Sequence, residues 1–486
     1  MKNLLKTTIQ RRISIIGILR DFIDWQDPQL LANLLDCSVK TLLSDVEAIN
    51  HDWHGKIGIE YSRTKGLRLE DSMQNMIRPL TADIMEDSES FQFIEGIFFY
   101  PNEDVDFWMK ELYISEATFY RMVRQIDEVL SRKDLVLKRK PFRIVAEDER
   151  WVRIFYVQFF LEKYGLNSWP FKTDRSRMLE FVQESSQTFD IILNDRDKME
   201  YSFLLSIIII RCYQGFEMSD ETIPKVEESI YEELQELYPS AEKAVEGTPF
   251  GVSKKWYQEV VHSLFFDCFV TDQNGDAERV RTEIEDFLSQ LIMTFKIPLH
   301  ENSQKRIVQK MMRIYHGFQV YPQSRVILFN EAAFFGRAAQ RQYPHFTKKV
   351  QKLLVELEHQ TSVPWFSQFY FAVLRCLFME WLQLVHYLDV LSLKRKVLII
   401  SDSGRRHGEM LADLVKSRFF YQVETSVYDD SIFTITEETF QKFERYDLIL
   451  SNTAFDEYPR TNLIVVDDFL TDADYTVISA FINQIK

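Results

Sequence analysis

The chain has 486 residues, 46% of them hydrophobic and 14% aromatic, and carries a formal net charge of -16. At roughly 150 residues per domain this predicts about three or four folded units, and the apolar content excludes a disordered chain. The acidic total excludes a molecule that is basic all over, so affinity for a polyanion has to come from cations gathered in one place.

Cys37, Cys212, Cys268 and Cys376 lie far apart, with no Cys/His cluster at metal spacing. That pattern predicts no structural metal, no disulfide framework and a reducing, cytoplasmic setting; no cofactor is expected. The start, MKNLLKTTIQRR, meets Lys6, Arg11 and Arg12 before the apolar core of a signal peptide can develop, and reads as a helix. The most apolar run, FLLSIIII before Arg211, is far shorter than the roughly 20 residues that cross a bilayer.

The first recognisable element is LLANLLDCSVKTLLSDVEAINHDW, from residue 30. Ala32 and Leu35 precede a polar break at Asp36, Cys37 and Ser38, and Leu42, Val46 and Ile49 then fall on one helix face, with Ser38 placed to cap it. A helix from Val39 to Asn50 would be about 18 Å long, at roughly 1.5 Å per residue, enough to lie along a major groove. Its outward positions are Lys40, Thr41 and Ser44. Beyond it, Ile59, Tyr61, Leu67 and Leu69 alternate with polar residues around Lys65 and Gly66, the signature of a β-hairpin wing. That wing would bring Arg63, Lys65 and Arg68 near a phosphate backbone.

The same grammar returns in WMKELYISEATFYRMVRQIDEVL. Leu112, a break ending at Ser115, and Phe119, Val123 and Ile126 repeat the earlier spacing, so Ser115 answers Ser38, Thr118 answers Thr41 and Arg121 answers Ser44. The tail LVLKRKPFRIV repeats the hairpin, with Arg143 in the place of Arg68. Arg121, Arg124, Lys138, Arg139 and Lys140 make this second unit locally basic, with Tyr120 beside them as a further candidate contact, while the acidity lies mostly elsewhere. Two helices about a polar turn also occur in ordinary bundles; the duplication, with a hairpin after each copy, favours tandem winged helix-turn-helix units.

From about Asp148 to Ser392 the pattern is one of long amphipathic helices. RCYQGF at Arg211 to Phe216 is answered by RIYHGF at Arg313 to Phe318, and WYQEVVHSLFFDCF from Trp256 by WFSQFYFAVLRCLF from Trp365, which predicts two related bundles. No G-x-S-x-G, H-E-x-x-H or phosphate-binding loop with Lys occurs here, so no enzyme is expected. The histidines that a phosphoryl group would make strongly anionic are His262, His300, His316, His345, His359 and His386; His262, His316 and His386 are the candidate acceptors.

After Lys394 strands and helices alternate, from KRKVLIIS through GEMLADLVKSRF, YQVETSVY, FQKFERY, DLILSN and NLIVVDDF to DADYTVISAFINQI, which predicts a small α/β domain with a parallel sheet. Its first strand ends at Ser401 in SDSGRRHGEM, a loop entering a helix where backbone N–H groups could hold an anion. A serine there forms a nucleophile far less readily than a cysteine would, so phosphoryl transfer is not expected.

Helix-turn-helix units, paired helical repeats and an α/β end, in that order, resemble the Mga/AtxA family of virulence regulators from Gram-positive bacteria. The resemblance implies a multidomain, mainly α fold. Winged helix-turn-helix units would occupy residues 1–70 and 71–147. Helical bundles similar to phosphotransferase-system regulation domains would occupy 148–288 and 289–392, and an α/β domain similar to a sugar-transport EIIB subunit would occupy 393–486. It further implies a non-enzymatic DNA-binding transcription regulator of virulence or metabolic genes. Double-stranded DNA, further copies of the chain in a homodimer or higher oligomer, and phosphocarrier proteins that modify histidines would be its partners. The helix-turn-helix match holds at Ser115, Thr118 and Arg121, and at Ser38 and Thr41, but Ser44 stands where the family has a basic residue. The EIIB cysteine is missing, which makes the last domain a sensor or assembly surface. The alternative is a phosphotransferase-system component or a protein-binding scaffold that does not bind DNA.

Overall fold

The computed structural model describes residues 1–22, 25–70, 77–218, 235–250, 259, 276–391, 394–419, 422–454 and 461–484. They form two compact units, Met1–Trp381 and Leu382–Lys486. The mainly α architecture with a parallel-sheet α/β unit at the carboxyl end is as the sequence predicts.

The first unit begins with α1 (Thr7–Asp21), α2 (Pro28–Leu34), α3 (Val39–Asp52) and the antiparallel hairpin β1 (Ile59–Ser62) and β2 (Gly66–Leu69). A second set follows: α4 (Ile77–Glu86), α5 (Glu89–Phe99), α6 (Val105–Glu111), α7 (Glu116–Ser131) and the hairpin β3 (Val136–Arg139) and β4 (Phe142–Val145). Leu42, Val46 and Ile49 of α3, and Phe119, Val123 and Ile126 of α7, are buried, as their spacing requires.

Next come α8 (Glu149–Tyr164), α9 (Arg175–Thr188), α10 (Asp195–Tyr213) and α11 (Tyr238–Val245). The phenylalanines fuse this bundle to the second winged unit: Phe98 of α5 lies 4.6 Å from Tyr156 and 5.1 Å from Phe160 of α8, ring centre to ring centre. One continuous apolar cluster therefore runs from Leu4 through both winged units into α10 and on to Leu328, which makes the winged units and the first bundle a single packed body rather than beads on linkers.

A further group comprises α12 (Asp276–Phe295), α13 (Glu301–Val320), α14 (Glu331–Gln342), α15 (Pro344–Thr361) and α16 (Tyr370–Glu380). Residues 288 and 289, where the sequence reading separates the bundles, lie inside α12, which packs on α13 and α15. The hexapeptide repeat also takes two conformations. In RCYQGF, Gly215 has φ +82° and ends α10, the Phe216 N–H donating to the Arg211 carbonyl. In RIYHGF the helix runs on to Val320, and Gly317 makes room for a guanidinium: a Cβ there would sit 2.3 Å from Nη2 of Arg325. The repeat segment from Trp256 to Phe269 lies outside the described residues, Glu259 excepted.

The second unit holds α17 (Leu384–Leu391), β5 (Arg395–Ile400), α18 (Arg405–Arg418), β6 (Val423–Val427), α19 (Glu437–Phe443), β7 (Leu448–Ser451), β8 (Leu463–Val465) and α20 (Asp472–Gln484). The strands form a parallel sheet in the order β6, β5, β7, β8. Leu411, Val415, Ile478 and Ile482 of α18 and α20 pack with Val397 and Ile399, while Phe443 of α19 packs with Leu398 and Ile400. Covered faces of this kind explain the unbroken apolar runs of β5 and β7. At the end of β5 the sequence reading missed a partner for Ser401. Nδ1 of His407 lies 2.7 Å from Ser401 Oγ, and Nε2 lies 2.6 Å from the Asp468 carbonyl oxygen. A carbonyl only accepts, so Nε2 carries the proton and Nδ1 accepts from the serine hydroxyl. Among the described residues no single helix is long and apolar enough to cross a membrane.

Candidate nucleic-acid interface

The two recognition helices are built by one local device used twice. Asp36 and Tyr113, each two residues before a capping serine, adopt left-handed φ of +49° and +52°. The Cys37 N–H donates to the Ala32 carbonyl at 3.0 Å, and the Ile114 N–H donates to the Met109 carbonyl at 3.1 Å. Each bond closes the preceding helix in a Schellman-type turn. Ser38 Oγ then accepts from the Thr41 N–H at 3.1 Å, and Ser115 Oγ from the Thr118 N–H at 3.4 Å. Capping of this kind contributes about 1 kcal/mol and fixes where the next helix starts. The cap expected at Ser38 is present and repeated at Ser115, and the hydroxyl pairs Ser38–Thr41 and Ser115–Thr118, 2.8 Å and 3.0 Å apart, shape the two helix starts.

The wings are clamped by equivalent positions. Asn50 of α3 donates to the Ile59 carbonyl at 2.9 Å and accepts from the Ile59 N–H at 2.8 Å. Asp127, the matching residue of α7, accepts from Nη2 of Arg139 at 3.1 Å. In the first wing Gly66 has φ +106°, and the flanking Leu67 exchanges backbone bonds with Gln26 at 2.8 Å and 2.9 Å. A Cβ on Gly66 would lie 2.1 Å from the Gln26 carbonyl oxygen, so only glycine fits.

The cations divide into free and engaged groups. Arg121 and Arg124, three apart on α7, are exposed, as are Lys138 and Lys140 on the second wing, and none makes an ion pair or side-chain hydrogen bond among the described residues. Arg139 is half-exposed through its bond to Asp127. Tyr120 is 45% exposed. In the first unit Lys40, Ser44, Arg63 and Lys65 are exposed. Arg68 is instead held at the base of its wing by Glu60 at 3.0 Å, its guanidinium 5.0 Å from the centre of the Trp25 ring. Arg143 is likewise folded back, bonded to Asn102 at 2.9 Å. The two arginines that the hairpin comparison equates are both packing residues.

Asp45 is the feature the sequence reading missed. It is buried on α3, where α7 has Met122, and it accepts from Nε of Arg11 at 2.5 Å and from Nε of Arg12 at 3.3 Å. Arg12 also reaches Asp52 at 2.8 Å. Two basic residues of α1 are thereby spent on holding α3, leaving the second winged unit with the denser surface of cations that have no partner among the described residues.

Residues 73–160 match the family model described as the Mga helix-turn-helix domain. That segment is similar to the helix-turn-helix domain of the Mga family. Over 93% of its length it is 22% identical to a protein of Streptococcus pneumoniae serotype 4 designated a trans-acting regulator, covering 93% of that protein. The capsule synthesis positive regulators AcpA and AcpB of Bacillus anthracis are 26% and 24% identical over 46% and 43% of this chain, and 47% and 44% of their own. The resemblance to the Mga/AtxA family holds, and the Mga match coincides with the segment that runs from α4 through α7 and its wing into α8.

Proposed function

We propose that the chain is a transcription regulator that grips duplex DNA through both winged helix-turn-helix units, the second supplying most of the affinity. The carrying observation is that Arg121 and Arg124 on α7 and Lys138 and Lys140 on its wing stand exposed and, among the described residues, unpaired, beside a helix whose start and wing are fixed by hydrogen bonds. Gathered cations of this kind neutralise phosphates, and affinity then falls with salt as released counterions are recaptured. The designations of the relatives as regulators support the same reading. Titrating a 30-base-pair duplex with the full chain across a salt series tests it; a flat response would remove this contact mode.

Regulation through phosphorylated histidine and self-association belongs to the same proposal. His262 lies outside the described residues. His316 is buried at 6% exposure in α13, whereas His386 is exposed on α17, so His386 is the better-placed acceptor for a phosphocarrier protein. Phe433 and Phe469 of the α/β unit are 93% and 64% exposed, which supports a protein-binding surface there. An oligomer would multiply the winged helices on one duplex.

The Ser401–His407 contact favours a second reading, a phosphotransferase-system component, because an imidazole within hydrogen-bond reach of a hydroxyl is placed as a general base. Incubation with a phosphocarrier chain separates the two. Stoichiometric phosphate on Ser401 supports the second reading, and label on His386 with altered DNA affinity supports the first.

A further inference from the structure

A cavity of about 640 Å³ opens within the first unit where α4, the carboxyl end of α8, the start of α10, the segment before α14, and α16 meet. It is within the size range of small-molecule sites. Its charged lining is Lys163, Arg196, Arg325 and Arg375 with Glu162 and Glu331. Two of these charges are committed elsewhere. Lys163 pairs with Glu95, and Glu162 accepts the backbone N–H groups of Ile327, Leu328 and Phe329 at 2.7, 2.8 and 3.2 Å. Arg196 and Arg375, from different helices, meet at Glu331, 2.8 Å and 3.8 Å from its Oε2. Arg325 is seated over Gly317, where any side chain would collide with it, so the fold has made a place for this guanidinium. Leu166 and Phe329 give the cavity an apolar wall.

We infer that this cavity binds a small phosphate monoester. A guanidinium presents a planar fork of donors suited to phosphate oxygens. Three such forks, from α10, the segment before α14, and α16, suit the three terminal oxygens of a tetrahedral monoester better than the two of a planar carboxylate. The guanidiniums supply the positive charge for an anionic group, and the organic part lies against Leu166 and Phe329. Glu331 keeps Arg196 and Arg375 together while the cavity is empty and yields donors to the ligand when it enters. The ligand then ties α10 to the group α12 to α16, whose segment 321–329 also touches the turn after α7.

Calorimetry on the full chain with ribose 5-phosphate, ribose and succinate tests the assignment. Ribose 5-phosphate is expected to bind at least about tenfold more tightly than ribose or succinate, and Arg196→Gln or Arg325→Gln to weaken it by roughly tenfold or more, the usual effect of losing a charged hydrogen bond. Should a variant misfold, the unaltered protein still decides. Phenylglyoxal modification of Arg196, Arg325 and Arg375, read by mass spectrometry, is expected to slow when ribose 5-phosphate is present. No binding at millimolar concentration, binding of succinate or ribose as tight as that of the ester, undiminished binding in both folded variants, or unchanged modification rates would overturn the inference.

Discussion

Asp45 and Met122 occupy the same place on the two recognition helices, and the difference decides what each unit can offer to DNA. A carboxylate buried on α3 needs partners, and Arg11 and Arg12 supply them from α1. Replacing Asp45 with Ala leaves Arg11 without its counter-ion and Arg12 with Asp52 alone, in a poorly hydrated seam; breaking a buried pair in this way costs about 3 kcal/mol. The midpoint of urea unfolding of the first unit should fall accordingly, and a change equivalent to under about 1 kcal/mol would mean the pair is not structural. Arg121 and Arg124 are the opposite case. They are exposed on α7 without partners among the described residues, so Ala at both sites should leave the thermal midpoint unchanged. The same double variant should lower DNA affinity and reduce the magnitude of the salt slope by about 2. For histidine, phosphate transferred to the native chain should appear at exposed His386 and not at buried His316, as read by mass spectrometry under conditions that preserve phosphohistidine. Label on His316 alone would contradict that accessibility argument.

At the scale of elements, the second recognition helix is tied to a distant part of the chain. Tyr321 donates to the Lys133 carbonyl at 3.0 Å, Gln323 to Asp134 at 2.7 Å, and Lys133 to the Ser324 carbonyl at 2.5 Å. These bonds connect the turn between α7 and its wing with the end of α13. Burial, with the charge of Asp134 adding to it, pushes the Tyr321 hydroxyl up to about 12. Raised above the ordinary phenol value, it contributes stability that is complete below about pH 10 and is lost as pH rises through about 12. Tyr321→Phe should therefore cost about 1 kcal/mol at neutral pH and speed amide exchange at residues 132–135. Unchanged exchange would mean the contact does not hold the turn. None of this was legible in the sequence, because partners nearly two hundred positions apart leave no periodic trace. What was legible is local: the capping serines, the three-and-four spacing of Phe119, Val123 and Ile126, the alternation in both wings, and the strand–helix rhythm after Lys394. RCYQGF and RIYHGF mark the boundary between the two kinds of information. The hexapeptides share their glycine, yet Gly215 ends a helix while Gly317 lies inside one, packed against Arg325.

At the scale of the whole molecule, the formal charge of -16 and a DNA-binding role are compatible because charge is spent unevenly. Arg11, Arg12, Arg68 and Arg143 hold the winged units together, and the cations left over cluster on α7 and the wing that follows it. The acidic remainder disfavours DNA on other faces. The central claim is that this cluster neutralises phosphates. Fluorescence titration of a 30-base-pair duplex of arbitrary sequence with the full chain, at several salt concentrations, measures it most directly. If Arg121, Arg124, Lys138, Arg139 and Lys140 of one subunit engage, the slope of log K against log salt should be about -4 or steeper, and the Arg121→Ala, Arg124→Ala variant should make it shallower. A slope near zero, or one that the double variant leaves unchanged, would contradict the account.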